Sequence, residues 1–176
     1  MPTSPLDNDE TNRLARLREL FILDSEPEPA FDAIALMASQ VCGVPMAMIT
    51  LVDADRQWFK AAVGTNGITE TPRAVAFCAH TILSDDVLVI PDTVQDARFA
   101  DSPLVTAGPK VRFYAGAPLV LPGGERIGSL CVTGPTPAGL NDQQVQMLRS
   151  LADVVTKTVV MRGDLITKTL AVRSRY

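Results

Sequence analysis

With 176 residues, a hydrophobic fraction of 47% and a charged fraction of 20%, the chain fits one globular domain with a core and is too apolar for wholesale disorder. Its net charge of -4 argues against a nucleic-acid partner, because neutralising phosphates needs a basic surface. The three cysteines, Cys42, Cys78 and Cys131, are odd in number and widely spaced, the pattern of reduced thiols rather than of a disulfide framework. No basic-then-apolar leader and no run of about 18 apolar residues occurs, so the expectation is a soluble, cytoplasmic chain without a membrane partner.

The first predicted elements are helical. Asp7, with Glu10 three positions on, forms a capping-box pattern, and Leu14, Leu17, Leu20 and Phe21 recur at helical spacing. Pro27 and Pro29 interrupt this run. A second helix then aligns Phe31, Ile34, Met37, Ala38 and Val41, with Gly43 placed to stop it. Residues 46–52, MAMITLV, are short and continuously apolar, as a buried strand is, and residues 53–56 turn the chain into a returning strand over 57–63. Alternation there puts Trp58 and Lys60 on one face, with Phe59 and Ala61 on the other.

The stretch 71–82, TPRAVAFCAHTI, holds the single histidine, His80, close to Cys78 and Phe77. Pro72 opens a short helix predicted over 73–83. A strand over 87–90 follows, then a crossing loop with one helical turn near 96–101 or near 103–106. Strands over 111–121 and 126–132 form a second hairpin, its turn supplied by Gly123 and Gly124. Asn141 and Gln144 cap the last and longest helix. It carries two apolar stripes: Val145, Leu148, Ala152, Val155 and Val159, and separately Met147, Leu151, Val154, Met161 and Leu165. One stripe suffices to cover a sheet, which leaves the second for the first helix or a partner subunit. Hairpins imply antiparallel pairing and hence an α+β fold. The expected organisation is a disordered lead over 1–6, one domain over 7–162 and a C-terminal helical extension or tail over 163–176.

The segments ILDSEPEPAFDAI, ITLVDADRQWFKAAVG, PRAVAFCAHTI, LVIPDTVQDARFADSPLV, VRFYAGAPLV and GSLCV occur in an order that resembles the GAF domain family. The likeness is to sensory GAF domains that stand before bacterial histidine kinases and diguanylate cyclases, and it runs over residues 17–160. It implies a central antiparallel sheet of five to six strands, terminal helices on one face and a pocket on the other, roofed by the short helix and the crossing loop. The implied roof holds Phe77, Cys78, His80, Arg98 and Phe99; the implied floor draws on Trp58 or Phe59, Tyr114 and Cys131. Arg73, Arg98 and Arg112 adjoin these segments, where a guanidinium holds a carboxylate or phosphate. Pairing of Arg98 with Asp92, Asp96 or Asp101 is the structural alternative.

Cys78 and His80 make a poor metal or nucleophilic pair, since helical positions two apart point about 200° away from each other, and no second histidine completes a ligand set. Of the family's chemistries, bilin attachment matches only in part, because Ala79 separates Cys78 from His80, and the cyclic-nucleotide signature is absent. Methionine-sulfoxide reduction needs cysteines clustered in pocket loops, whereas Cys131 falls inside a strand. The cofactor is left open, as a bilin or another small molecule. The leading expectation is a non-enzymatic sensory domain that binds a small molecule, dimerises through its terminal helices and signals to a histidine kinase or cyclase. Two readings stand beside it: an enzyme using Cys78 as nucleophile or redox thiol, and a ligand-free dimerisation module.

Overall fold

The computed structural model describes residues 9–174, so Asp7 and the lead expected over 1–6 lie outside the described residues. Helix α1, Glu10–Glu19, is capped by Asp9, whose carboxylate accepts the Asn12 amide at 3.4 Å. Proline at the first position of α2, Pro29–Cys42, lacks only an N–H that would have been unpaired there. Gly43 ends the helix at φ 65°, a left-handed conformation that glycine adopts without a Cβ clash. Strands β1, Met46–Val52, and β2, Arg56–Val63, form the first hairpin. A short edge strand β3, Glu70–Pro72, joins β2; its three residues carry no hydrophobic period that would have announced it.

The helix predicted over 73–83 is broken in two. A 3-10 turn at Arg73–Val75 is followed by Ala76 in an extended conformation, and α3, Cys78–Thr81, is a single turn. After β4, Leu88–Ile90, a 3-10 turn at Thr93–Gln95 and α4, Pro103–Thr106, punctuate the crossing loop. Strands β5, Phe113–Val120, and β6, Arg126–Gly134, form the second hairpin. Helix α5, Asp142–Arg173, then runs unbroken for 32 residues behind a capping box in which Asn141 and Gln144 satisfy each other's backbone. The six strands make one antiparallel sheet in the order β3-β2-β1-β6-β5-β4, an α+β fold.

The sheet is apolar on both faces. On one, Leu17, Phe31, Ala35, Leu148, Val155 and Val159 of the helices pack against Ile49, Leu51, Phe113, Leu130 and Val132. Burying each such large side chain contributes about 1.5–3 kcal/mol, which makes this layer the main anchor of α5. On the other face a smaller cluster gathers Met48, Val52, Phe59, Phe77, Phe99, Tyr114 and Cys131. Gly128 lets β6 close on β1, because a Cβ there would overlap the Thr50 carbonyl oxygen.

The β1–β2 ladder is irregular at its centre. Ile49 pairs with Ala61 but Thr50 pairs with Phe59, so Lys60 is the extra residue of a β-bulge. Ala61 consequently joins the helix-side core along with Trp58, and Lys60 also reaches toward the helices rather than alternating with Ala61.

Candidate ligand cavity

The second face of the sheet is only partly closed by α3 and the crossing loop. Between them lies a cavity of about 430 Å³, within the roughly 300–1,000 Å³ typical of small-molecule sites. Met46 and Met48 of β1, Phe59 of β2, Ile68, and Leu104 and Val111 of the crossing loop supply its apolar wall. Among the described residues no Asp, Glu, Lys, Arg or His lines it. Its aromatic side is a stack: Phe77 lies against Tyr114 with centroids 5.1 Å apart and against Phe99 at 4.7 Å.

Polar groups converge from α3, β5 and β6 at one point and from β2 and β3 at another. At the inner end, Thr81 Oγ1 and Tyr114 Oη are 2.6 Å apart, Tyr114 donates to Cys78 Sγ at 3.3 Å, and Ser129 Oγ donates to the same sulfur at 2.9 Å. Cys131 Sγ sits 3.7 Å from Cys78 Sγ. Burial pushes the Cys78 thiol up, but hydrogen bonds from Cys131, Ser129, Thr50 and Tyr114 outweigh it and bring the thiol down to about 7. Cys131 is held well above its ordinary value by its bond to Cys78 and by burial. Gly116 makes room for this arrangement, since a Cβ there would strike the Tyr114 hydroxyl. On the β2 side, Gln57 donates Nε2 to Thr71 Oγ1 at 3.3 Å, while its buried Oε1 has no partner. An unanswered buried carbonyl of this kind costs about 1–3 kcal/mol.

The residues singled out in the sequence divide by location. Phe77, Cys78 and Tyr114 line the cavity, and Phe99 backs it through Phe77. Trp58 does not: it belongs to the helix-side core, because strand alternation gives the cavity to its neighbours Gln57 and Phe59. His80 is outside the lining and stands edge-on to Phe99 at 4.7 Å. Arg98 is bound by Asp96 through two hydrogen bonds of 2.9 and 2.6 Å, and Arg112 by Asp92 through two of 3.0 and 2.9 Å. Arg98 therefore closes a local turn and Arg112 clasps the two ends of the crossing loop, and neither lines the cavity. Gln57 was not singled out; a lone glutamine in an apolar strand was the available signal.

Two ionic links tie the cavity walls to the helices. Ahead of α3, the buried Arg73 binds Glu10 of α1 and donates to Asp53 O at 2.9 Å; Arg13, also buried, holds Glu10 at 2.9 and 2.7 Å and donates to Val52 O at 2.7 Å. Burial pushes the Glu10 carboxyl up, but its hydrogen bonds to Arg13 and Arg73 prevail and lower it to about 2. At the bulge, Lys60 Nζ meets Glu28 at 2.5 Å and Ser25 Oγ at 2.8 Å, and Glu28 in turn accepts from Arg162 of α5 at 2.7 Å. Arg162 also donates to Phe21 O at 2.7 Å, and Gly163 lets α5 approach Leu20.

Among the described residues no helix is long and apolar enough to cross a membrane. The family model for the GAF domain matches residues 26–159. A cyclic di-GMP phosphodiesterase of Pseudomonas aeruginosa is 40% identical over 156 residues, which is 88% of this chain and 26% of the relative. The chain thus spans about a quarter of that protein's length. Among solved structures, the GAF domain of an Acinetobacter phosphoenolpyruvate-protein phosphotransferase superposes with a TM-score of 0.64 at 15% identity, covering 89% of this chain and 95% of that one. A free methionine-R-sulfoxide reductase from Neisseria meningitidis, solved with its substrate, gives 0.62 at 17% identity, with 94% and 99% covered.

Proposed function

Given that this chain belongs to the GAF domain family, we propose that it is a sensory domain that binds an uncharged small molecule and reports occupancy through α5. The observation that carries the reading is the cavity itself: about 430 Å³, without an ionisable Asp, Glu, Lys, Arg or His among the described residues of its wall, and with Gln57 Oε1 unpartnered. An anionic ligand would lose its hydration there without gaining a counter-charge, and no carboxylate among the described lining residues is present to hold a cation. A mainly apolar ligand with one N–H or O–H donor would satisfy Gln57, and aromatic stacking on Phe77 would add to its affinity.

The route outward runs through β2. Phe59 faces the cavity, and the next residue, Lys60, grips Glu28, which grips Arg162 of α5. A ligand that moves β2 at the bulge moves a charge pair that α5 shares. Beyond the sheet-facing stripe, α5 carries Met147, Leu151, Val154, Thr158, Met161, Leu165, Lys168 and Val172 at alternating intervals of four and three, the spacing of a coiled-coil seam. Met161 and Leu165 are 66% and 65% exposed. This seam supports a homodimer through α5, and a coiled coil of that kind would carry the signal to an effector. The phosphodiesterase relative favours an effector acting on cyclic di-GMP over a histidine kinase.

The test is a fluorescence titration with aminoanthracene, an uncharged aromatic amine of suitable size. Saturable binding is expected for the native chain and at least about tenfold weaker binding for Thr133→Phe, which fills the cavity from β6. Equal binding by the two proteins would contradict a ligand site in this cavity.

A further inference from the structure

We infer that Cys78 and Cys131 form a reactive dithiol, converted to a disulfide by a small hydroperoxide that enters the cavity. The two cysteines lie 53 positions apart in the sequence, yet the fold sets their sulfurs 3.7 Å apart. Both line the cavity. A disulfide bond is about 2.05 Å long, so each sulfur has to move by less than about 1 Å. The chemistry requires neither a resident ligand nor a dimer, so it goes beyond the sensory role and can fail separately from it.

The surroundings assign different tasks to the two thiols. Thiolate is the nucleophilic form of cysteine, and the hydroxyls of Ser129 and Tyr114 donate to Cys78 Sγ at 2.9 and 3.3 Å. Against the upward push of burial, the Cys131 thiol first and then these hydroxyls and that of Thr50 bring Cys78 down to about 7, while Cys131 keeps its proton. The third cysteine supplies the contrast. Cys42 sits in the helix-side core, where burial alone pushes its thiol up to about 11.

In the first step Cys78 sulfur attacks the distal oxygen of the hydroperoxide. An S–O bond forms, the O–O bond breaks, and the alcohol leaves with the thiol's proton, giving a sulfenic acid. In the second step Cys131 sulfur attacks Cys78 sulfur, an S–S bond forms, and the hydroxyl departs with the Cys131 proton as water. The two thiols together lose two electrons and two protons, and the peroxide is reduced. Ser129 and Tyr114 then lose their thiolate acceptor, and α3 becomes tied to β6, so the cavity roof is fixed to its floor.

The reduced 176-residue chain treated with hydrogen peroxide should lose two hydrogens by intact mass, with a Cys78–Cys131 cross-link in its peptide map and Cys42 still open to alkylation after unfolding. Cys131→Val should stop at a sulfenic acid on Cys78, trapped by dimedone, and Cys78→Ser should oxidise at least about tenfold more slowly. Should either variant fail to fold, the peptide map of the native chain decides alone. A cross-link through Cys42 or between chains, or a Cys78 that stays freely alkylatable after peroxide treatment, would overturn the assignment.

Discussion

Glu10→Gln is expected to destabilise the domain by about 3 kcal/mol at neutral pH and to loosen the cavity roof. One carboxylate serves two guanidiniums, those of Arg13 and Arg73, which are 1% and 3% exposed. Glutamine keeps the shape but withdraws the negative charge that both buried guanidiniums share, while the Val52 and Asp53 carbonyls still accept from them. Removing one partner of a buried ion pair costs about 3–5 kcal/mol. Proton linkage gives a similar size: lowering the Glu10 pKa from 4.5 to about 2 corresponds to about 3 kcal/mol. Since folding depresses this pKa, the contribution is complete above 4.5 and is lost as pH falls toward about 2. Urea unfolding of native and variant chains should therefore differ most at neutral pH and converge in acid. A variant as stable as the native chain at pH 7 would mean that Glu10 does not anchor the two arginines. Because Arg73 leads directly into α3, amide exchange over 73–82 should also speed up in the variant.

Met161→Glu combined with Leu165→Glu should weaken self-association at least about hundredfold while leaving the folded monomer as stable as before. Each protomer would contribute both side chains to a seam, and each apolar burial is worth roughly 1.5–3 kcal/mol, against about 1.4 kcal/mol per decade of affinity. Both positions point away from the sheet-facing residues Leu148, Val155 and Val159, which separates association from folding. Sedimentation velocity reads the first and thermal unfolding the second. An unchanged sedimentation coefficient in the double variant would mean that α5 is not the seam.

The sequence carried the fold wherever the determining signal was local. Gly43 after an amphipathic run, the Asn141 and Gln144 box, and the double glycine between β5 and β6 each act within a few residues, and each marks an element boundary in the structure. The apolar strands and their hairpins led to the antiparallel α+β class by the same logic. Strand β3 escaped because a three-residue polar edge strand has no period to detect. Trp58 was assigned to the cavity as an alternative to Phe59, and alternation alone could not choose between them in a sheet that is apolar on both faces. The bulge at Lys60 is likewise a property of pairing rather than of one strand.

The polar side of the candidate site was less legible because it is built from distant pieces. Cys131 was placed on the implied pocket floor but, being inside a strand, was set apart from Cys78, and only the stacking of α3 over β6 brings the two sulfurs together. Arg98 and Arg112 looked available because the sequence shows neighbouring acids without showing which of them closes a bidentate pair. Glu10 and Arg73, 63 positions apart, left no local trace of their contact.

Whether α5 feels an occupant of the cavity is tested most directly by hydrogen exchange of the native chain, with and without saturating aminoanthracene. Coupling through the bulge predicts slower exchange at the cavity wall, over 57–63 and 103–112, and a second change around Arg162 and the segment 20–28 that vanishes in Lys60→Met. Protection confined to the cavity wall, with α5 exchanging identically in both samples, would contradict it.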